Sequence, residues 1–155
     1  MRNLVFVLIV AACISCNKDE VIYDQVQPVR NGEWSYGNDL SFEFEVADTA
    51  RLYRLLLYVE FSTDYQWQNL YTNITTTFPN DSLLVDLVSF ELASKTGMWY
   101  GDCDQDICAV NIPMQERVKF PFPGTYKLNF EQYMREEHLA GINAVGVKLV
   151  VPDQN

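Results

Sequence analysis

Ser41-Phe42-Glu43-Phe44-Glu45-Val46 is the stretch that decides the fold. Phe42, Phe44 and Val46 fall on one side of an extended chain, and Ser41, Glu43 and Glu45 fall on the other. A period of two belongs to a strand with one buried and one wetted face. Asp48-Thr49-Ala50 then turns, and Leu52–Phe61 follows as a nearly continuous apolar run. That run reads as a central strand, either covered on both faces or with Arg54 and Glu60 reaching an edge. Thr-rich Asn69–Phe78 reads as another strand, ended by the turn residues Pro79-Asn80-Asp81. Leu83–Leu92 admits two readings: Leu84, Leu87, Val88 and Glu91 have helical spacing, whereas Val85, Val88 and Phe90 carry β propensity. Its neighbours favour the strand.

Further along, Met98–Tyr100 and Ile107–Ile112 read as two arms around a cysteine loop. Val118–Phe122 runs into Pro123-Gly124, and Tyr126, Leu128 and Phe130 alternate. Met134–Leu139 reads as a helical turn, and Val145–Val151 as a closing strand. Prolines fall at strand ends, where a missing N–H does no damage. About eight strands at short spacing, with almost no helix, specify an all-β fold: an antiparallel β-sandwich of jelly-roll type.

The amino terminus has a different character. Met1-Arg2-Asn3 precedes an apolar run from Leu4 to Ile14, then Ser15-Cys16 and the polar Asn17-Lys18-Asp19-Glu20. One positive charge, a short apolar run and a small residue before cysteine make the export signal of a bacterial lipoprotein. The run is too short for a membrane span, which needs ~20 apolar residues. Cys16 is the expected acylation site. Cys13 is the alternative, because Val10-Ala11-Ala12-Cys13 fits the aliphatic-small-small-Cys pattern better but leaves Ile14 in the tether. The expected organisation is a signal peptide over 1–15, a lipidated tether over 16–20 and a sandwich over 21–155.

With 11 basic against 21 acidic residues, the formal net charge is −10. A phosphate backbone would be repelled, so no nucleic acid is expected. Membrane attachment falls to the acyl chains, each buried methylene of which contributes ~0.8 kcal/mol. A hydrophobic fraction of 48% supplies a core for one domain.

Catalytic and metal-binding residues are scarce. Cys103 and Cys108 are expected to pair as a disulfide in an oxidising compartment. The rival reading is a calcium loop built on Asp102, Asp104 and Asp106, but Ile107 and Pro113 stand where an EF-hand needs Gly and Glu. The one histidine, His138, follows the charged Arg135-Glu136-Glu137, and no Gly-x-Ser-x-Gly elbow accompanies any serine. No carboxylate pair is selected by spacing. No catalytic residue, metal, cofactor or small-molecule substrate is therefore expected. Trp34, Tyr36, Tyr65, Trp67, Tyr71, Trp99 and Tyr100 lie near strand ends and in loops, where rings either seal the core or stack on a sugar or a partner. Tyr65 and Trp67, flanked by Gln66 and Gln68, are expected to be the most exposed.

Four blocks carry a resemblance: Tyr65-Gln66-Trp67-Gln68-Asn69-Leu70-Tyr71, Leu92-Ala93-Ser94-Lys95-Thr96-Gly97-Met98-Trp99-Tyr100-Gly101, Phe130-Glu131-Gln132-Tyr133-Met134-Arg135, and Leu139-Ala140-Gly141-Ile142-Asn143-Ala144-Val145-Gly146. In this order they resemble the GldH family, gliding motility lipoproteins of Bacteroidota. The resemblance implies an outer-membrane lipoprotein, at the periplasmic face or the cell surface, without catalytic activity. Its implied partners are envelope proteins of the gliding apparatus and the associated type IX secretion machinery. Tyr65, Trp67, Trp99 and Arg135 become candidate partner contacts. Gly97 and Gly101 would permit tight backbone around Trp99, and Gln132, Arg135 and Gly141 would shape the last turn. Asp48-Thr49-Ala50 and Asp81-Ser82-Leu83 resemble the O-glycosylation sequence of Bacteroidota envelope proteins, at Thr49 and Ser82. Lys18-Asp19-Glu20 resembles the tags that send some of these lipoproteins to the surface. A surface glycan-binding module is the competing function, and it requires a concave aromatic face.

Overall fold

The computed structural model describes residues 18–153. The expected signal peptide (1–15) and the acylation candidates Cys16 and Cys13 lie outside these residues. The described chain forms β1 (Glu20–Pro28), a 3-10 turn (Arg30–Gly32), β2 (Glu33–Ser35), β3 (Leu40–Val46), β4 (Tyr53–Ser62), β5 (Asn69–Thr77), β6 (Leu83–Glu91), β7 (Asp102–Asp104), β8 (Ile107–Val118), β9 (Gly124–Gln132), β10 (His138–Ala140) and β11 (Ile142–Val151). All pairings are antiparallel. One sheet has the order β1-β11-β4-β8-β7, the other β3-β9-β5-β6, and β2 pairs with β10 as a separate ribbon.

Without the three-residue strands β2, β7 and β10, the sheets read β1-β11-β4-β8 against β3-β9-β5-β6. Apart from the β5–β6 hairpin, paired long strands lie far apart along the chain and successive ones change sheet, which is the double Greek key of a jelly roll. The all-β sandwich expected from alternation is the observed architecture.

Its core is made by the apolar half of each alternation. Phe42, Phe44 and Val46 of β3 meet Leu55, Leu57, Val59 and Phe61 of β4 and Val145, Val147 and Leu149 of β11. Each such side chain contributes roughly 1.5–3 kcal/mol on burial. Phe44, Phe120 and Tyr126 form a ring cluster, with Phe120 and Tyr126 centroids 4.8 Å apart. At one end of the sandwich Trp34 and Leu139, from the β2–β10 ribbon, are wholly buried. The Trp34 indole N–H donates to the Asn38 carbonyl at 2.9 Å.

Several local expectations are corrected. β4 is the middle of five strands, but only one face is fully buried. On its other face Arg54 pairs with Asp19 and Glu116 at 3.2 and 2.9 Å. Leu83–Glu91 is the strand that its neighbours favour, not the helix, and it lies at the edge of its sheet. Met98–Tyr100 is not an arm of the cysteine hairpin; β7 takes that place, and Trp99 makes only an isolated bridge with Ala93. The cause lies at Gly101, whose φ is +85° and where a Cβ would sit 2.1 Å from the Ala109 carbonyl oxygen. Gly101 thus lies against β8 where no side chain fits, while Met98–Tyr100 before it folds back on Leu92–Ser94, with Tyr100 N–H donating to the Leu92 carbonyl and Ser94 N–H to the Met98 carbonyl, both at 2.8 Å. Met134–Leu139 forms no helical turn, because the buried Gln132 side chain supplies the hydrogen bonds of that segment and His138–Ala140 joins β2. At the amino terminus, β1 already includes Glu20, which pairs with Arg51, and Asp19 Oδ1 accepts from the Asp153 N–H at 3.2 Å.

Candidate functional site

The outer face of the four-stranded sheet becomes concave where β5, β6 and β9 meet the segment after β9. Odd-numbered β5 residues point outward, because Leu70, Thr72 and Ile74 are buried. Tyr71 therefore stands on the surface at 41% exposure. Across the ladder, Tyr133 N–H donates to the Tyr71 carbonyl at 2.8 Å. Tyr71 N–H is directed at Met134 Sδ, 3.3 Å away. The Tyr36 hydroxyl donates to the Met134 carbonyl, joining the segment after β2 to the same place.

The result is a cleft of about 950 Å³. Trp67, Tyr71, Tyr36 and Tyr133 supply its rings, Asn69 and Gln132 its amides, and Glu131 and Arg135 its charges. Trp67 is 39% exposed and Tyr133 58%. Exposed rings beside amides and one guanidinium can stack on and hydrogen-bond to a sugar ring or to a partner's side chains. Gln132 is itself buried and positions the Tyr133–Glu136 segment from beneath.

Of the four candidate contact residues, Trp67 and Arg135 come together in this cleft. Trp99 lies elsewhere, half-buried and edge-on to Phe61 with centroids 5.1 Å apart. Tyr65 is corrected outright. It is 3% exposed, its hydroxyl donates to the Asn69 carbonyl at 3.0 Å, and burial with Glu136 nearby raises its pKa well above the ordinary value. Tyr133, Leu87 and Met134 were not singled out by sequence. Only the alternation of β5 and β9 offered a signal, and for Tyr133 it stops one residue short.

The remaining candidates are spread over the surface. Cys103 and Cys108 are directly opposite in the β7–β8 ladder and are bonded to each other. Among the described residues no three His, Cys, Asp or Glu side chains converge as a metal would need. Thr49 occupies the turn between β3 and β4, and Ser82 is exposed, its hydroxyl donating to Asn80 Oδ1 at 2.6 Å. His138 Nδ1 lies 2.9 Å from Ser35 Oγ and 3.4 Å from Glu33 Oε1. A relay needs the nucleophile and the acid on different ring nitrogens. Here both face Nδ1, on an open surface.

Fold and cleft thus define a jelly-roll sandwich domain whose open concave face is lined by rings. The GldH lipoprotein model matches residues 21–149, and the chain belongs to that family, whose members are lipid-bearing and hence membrane-associated. The chain is 28% identical to the gliding motility lipoprotein GldH of Flavobacterium johnsoniae, over 95% of this chain and 96% of that protein. It is 26% identical to the gliding motility lipoprotein GldH homolog of Christiangramia forsetii, over 96% of this chain and 94% of that protein. Dimeric latent PorU from Porphyromonas gingivalis aligns with 87% of this chain and 13% of its own, at 11% identity and a TM-score of 0.30, too loose to carry an argument.

Proposed function

We propose that this protein is a lipid-anchored outer-membrane component that supports gliding motility and the associated type IX secretion machinery through protein contacts, without catalysis. The observation that carries this reading is the family match across residues 21–149, nearly the whole folded domain. Gliding motility relatives that align end to end support it. Acylation at Cys16, with Cys13 the alternative, is part of the same reading, as are Trp67 and Arg135 as contact residues. The test is deletion of the gene in its own bacterium, scored by colony spreading and by the proteins released into the medium. Loss of secretion, restored by the intact gene but not by Cys16→Ala, is the expected result. Unchanged secretion and spreading would sink the proposal. Intact mass of the purified protein reads the acyl chains, and any sugar on Thr49 or Ser82, directly.

A second reading, a surface glycan-binding module, is favoured by one observation: Trp67, Tyr71 and Tyr133 ring a concave surface. It requires saturable binding of an oligosaccharide that Trp67→Ala abolishes.

A further inference from the structure

β6 is the last strand of the four-stranded sheet, and it is apolar on both faces. Leu83, Leu84, Val85 and Leu87 are between 47% and 65% exposed. Edge strands of this length are normally guarded by lysine, proline, a bulge or an inward-pointing charge. β6 has no lysine or proline, and its nine-residue register against β5 is unbroken. Its one guard is Asp86, opposite buried Ile74 on the face that lines an apolar crevice between the sheets; its other charge, Glu91, is the last residue of the strand.

The direction of its backbone groups follows from the neighbouring ladder. Tyr71 offers its carbonyl to Tyr133 on the β9 side. Backbone groups alternate along a strand, so Thr72, Ile74 and Thr76 turn theirs toward β6. Their partners Val88, Asp86 and Leu84 bond back to β5. The N–H and C=O groups of Leu83, Val85, Leu87 and Ser89 therefore point out of the sheet. Beside this edge the two sheets part, leaving an apolar crevice of about 360 Å³. Leu84 and Val88 of β6 line one wall and Met114 and Val118 of β8 the other, with Lys119 also at the lining. β7 covers only Ile107–Ala109 of β8, so among the described residues no strand closes the gap.

We propose that β6 accepts an extended segment of another protein as a fifth strand, with alternating apolar side chains and a Lys or Arg facing Asp86. Outward-pointing backbone donors and acceptors select an extended chain. Its inward side chains would enter the crevice beside Leu84 and Val88, and its outward ones would continue the Leu83-Val85-Leu87 stripe. Charge selects against a second copy. Antiparallel self-pairing centred on Asp86 sets two carboxylates opposite each other, which is destabilising, between chains that each carry −10. A basic residue at that place converts the repulsion to attraction. The proposal rests on the protein-contact reading above and specifies its geometry.

The probe is a fluorescein-labelled peptide, TVTVTKTVTVT, titrated into the full-length acylated protein in detergent, with TVTVTETVTVT as comparison. Saturable binding of the Lys peptide, at least tenfold tighter than the Glu peptide, is expected. Bound peptide should slow amide exchange at Val85 and Leu87 while Leu84 and Asp86, already bonded to β5, change little. Proline is tolerated where an edge N–H faces outward, so Val85→Pro with Leu87→Pro should weaken binding tenfold or more at an unchanged melting temperature. Asp86→Lys should reverse the peptide preference. No binding, equal binding of both peptides, or protection outside β6 would overturn the proposal. So would a concentration-dependent dimer that the proline pair abolishes, which would make a second copy the occupant. If the proline variant melts early, the exchange pattern on the unaltered chain decides. Peptide binding that persists when gene deletion has no phenotype overturns the function and leaves the edge standing; a deletion phenotype without peptide binding does the reverse.

Discussion

Gln132 spans the turn that follows its own strand: its buried side chain donates to the Glu136 carbonyl at 2.8 Å and accepts from the Met134 N–H at 2.9 Å. One amide thereby fixes the segment that places Tyr133 and Arg135 in the cleft. Gln132→Leu keeps the bulk but strands both backbone groups, at a cost of about 2 kcal/mol. Urea unfolding should show that loss, and amide exchange at Met134 should quicken beyond it.

Trp67 and Trp34 separate contact from stability. Trp34 is 1% exposed and seals the core. Trp34→Ala should therefore cost about 3–5 kcal/mol. Trp67→Ala, at a partly exposed cleft position, should shift stability by no more than about 0.5 kcal/mol. A Trp67→Ala protein that folds normally yet fails to restore secretion or spreading places the function in the cleft. Full restoration removes Trp67 from it.

Tyr65 predicts an alkaline weakness. Burial, with the Glu136 charge adding to it, raises this hydroxyl's pKa above its ordinary value of 10.0. Above that value the unfolded chain releases a proton that the folded chain retains, so this contribution is intact below pH 10 and shrinks as pH rises. Tyr65→Phe should lose about 1 kcal/mol at neutral pH with the hydrogen bond to Asn69, yet its stability should fall less steeply above pH 10. Tyr23, Tyr53 and Tyr58, also raised by burial, leave a residual slope. Thermal melts between pH 8 and pH 11 (about the usable range for tyrosine titration) test the difference.

The Cys103–Cys108 bond closes a loop with a sequence separation of 5. So short a loop contributes roughly 2 kcal/mol on the chain-entropy model. The double serine variant should lose about that much, with a denaturant midpoint that reductant does not move, whereas reductant should bring the intact protein down to the same midpoint. Complementation by that variant should be undiminished, because no residue of the Cys103–Cys108 loop lines the cleft or the crevice beside β6.

The sandwich was legible wherever one face of a strand meets the core and the other meets water. β3 and β9 satisfy that rule residue by residue, and their alternations face each other across one ladder. β1 does not: it is an edge, Val21 and Ile22 are both exposed, and its register shifts between Val21 and Tyr23. β2 and β10 are three residues each and exist only because Ser35 lies opposite His138, a pairing no local window contains. The cleft was half legible. Glutamines around Trp67 signalled exposure correctly, and the same neighbours misled at Tyr65. There the chain folds back beneath Gly141, whose Cβ would lie 3.3 Å from the Tyr65 ring, and Phe61 takes the ring into the core.

The direction of β1 carries one more consequence. It starts at Glu20 beside Val151 and finishes at Pro28 beside Ala144, the end at which β4 and β9 deliver Trp67 and Arg135. Nine residues at a rise of ~3.3 Å make a pillar about 30 Å tall. A fatty acid on Cys16 would hold the foot of that pillar against the lipid headgroups. The ring-lined hollow would then look outward from the bilayer, presented to whatever approaches from the aqueous side.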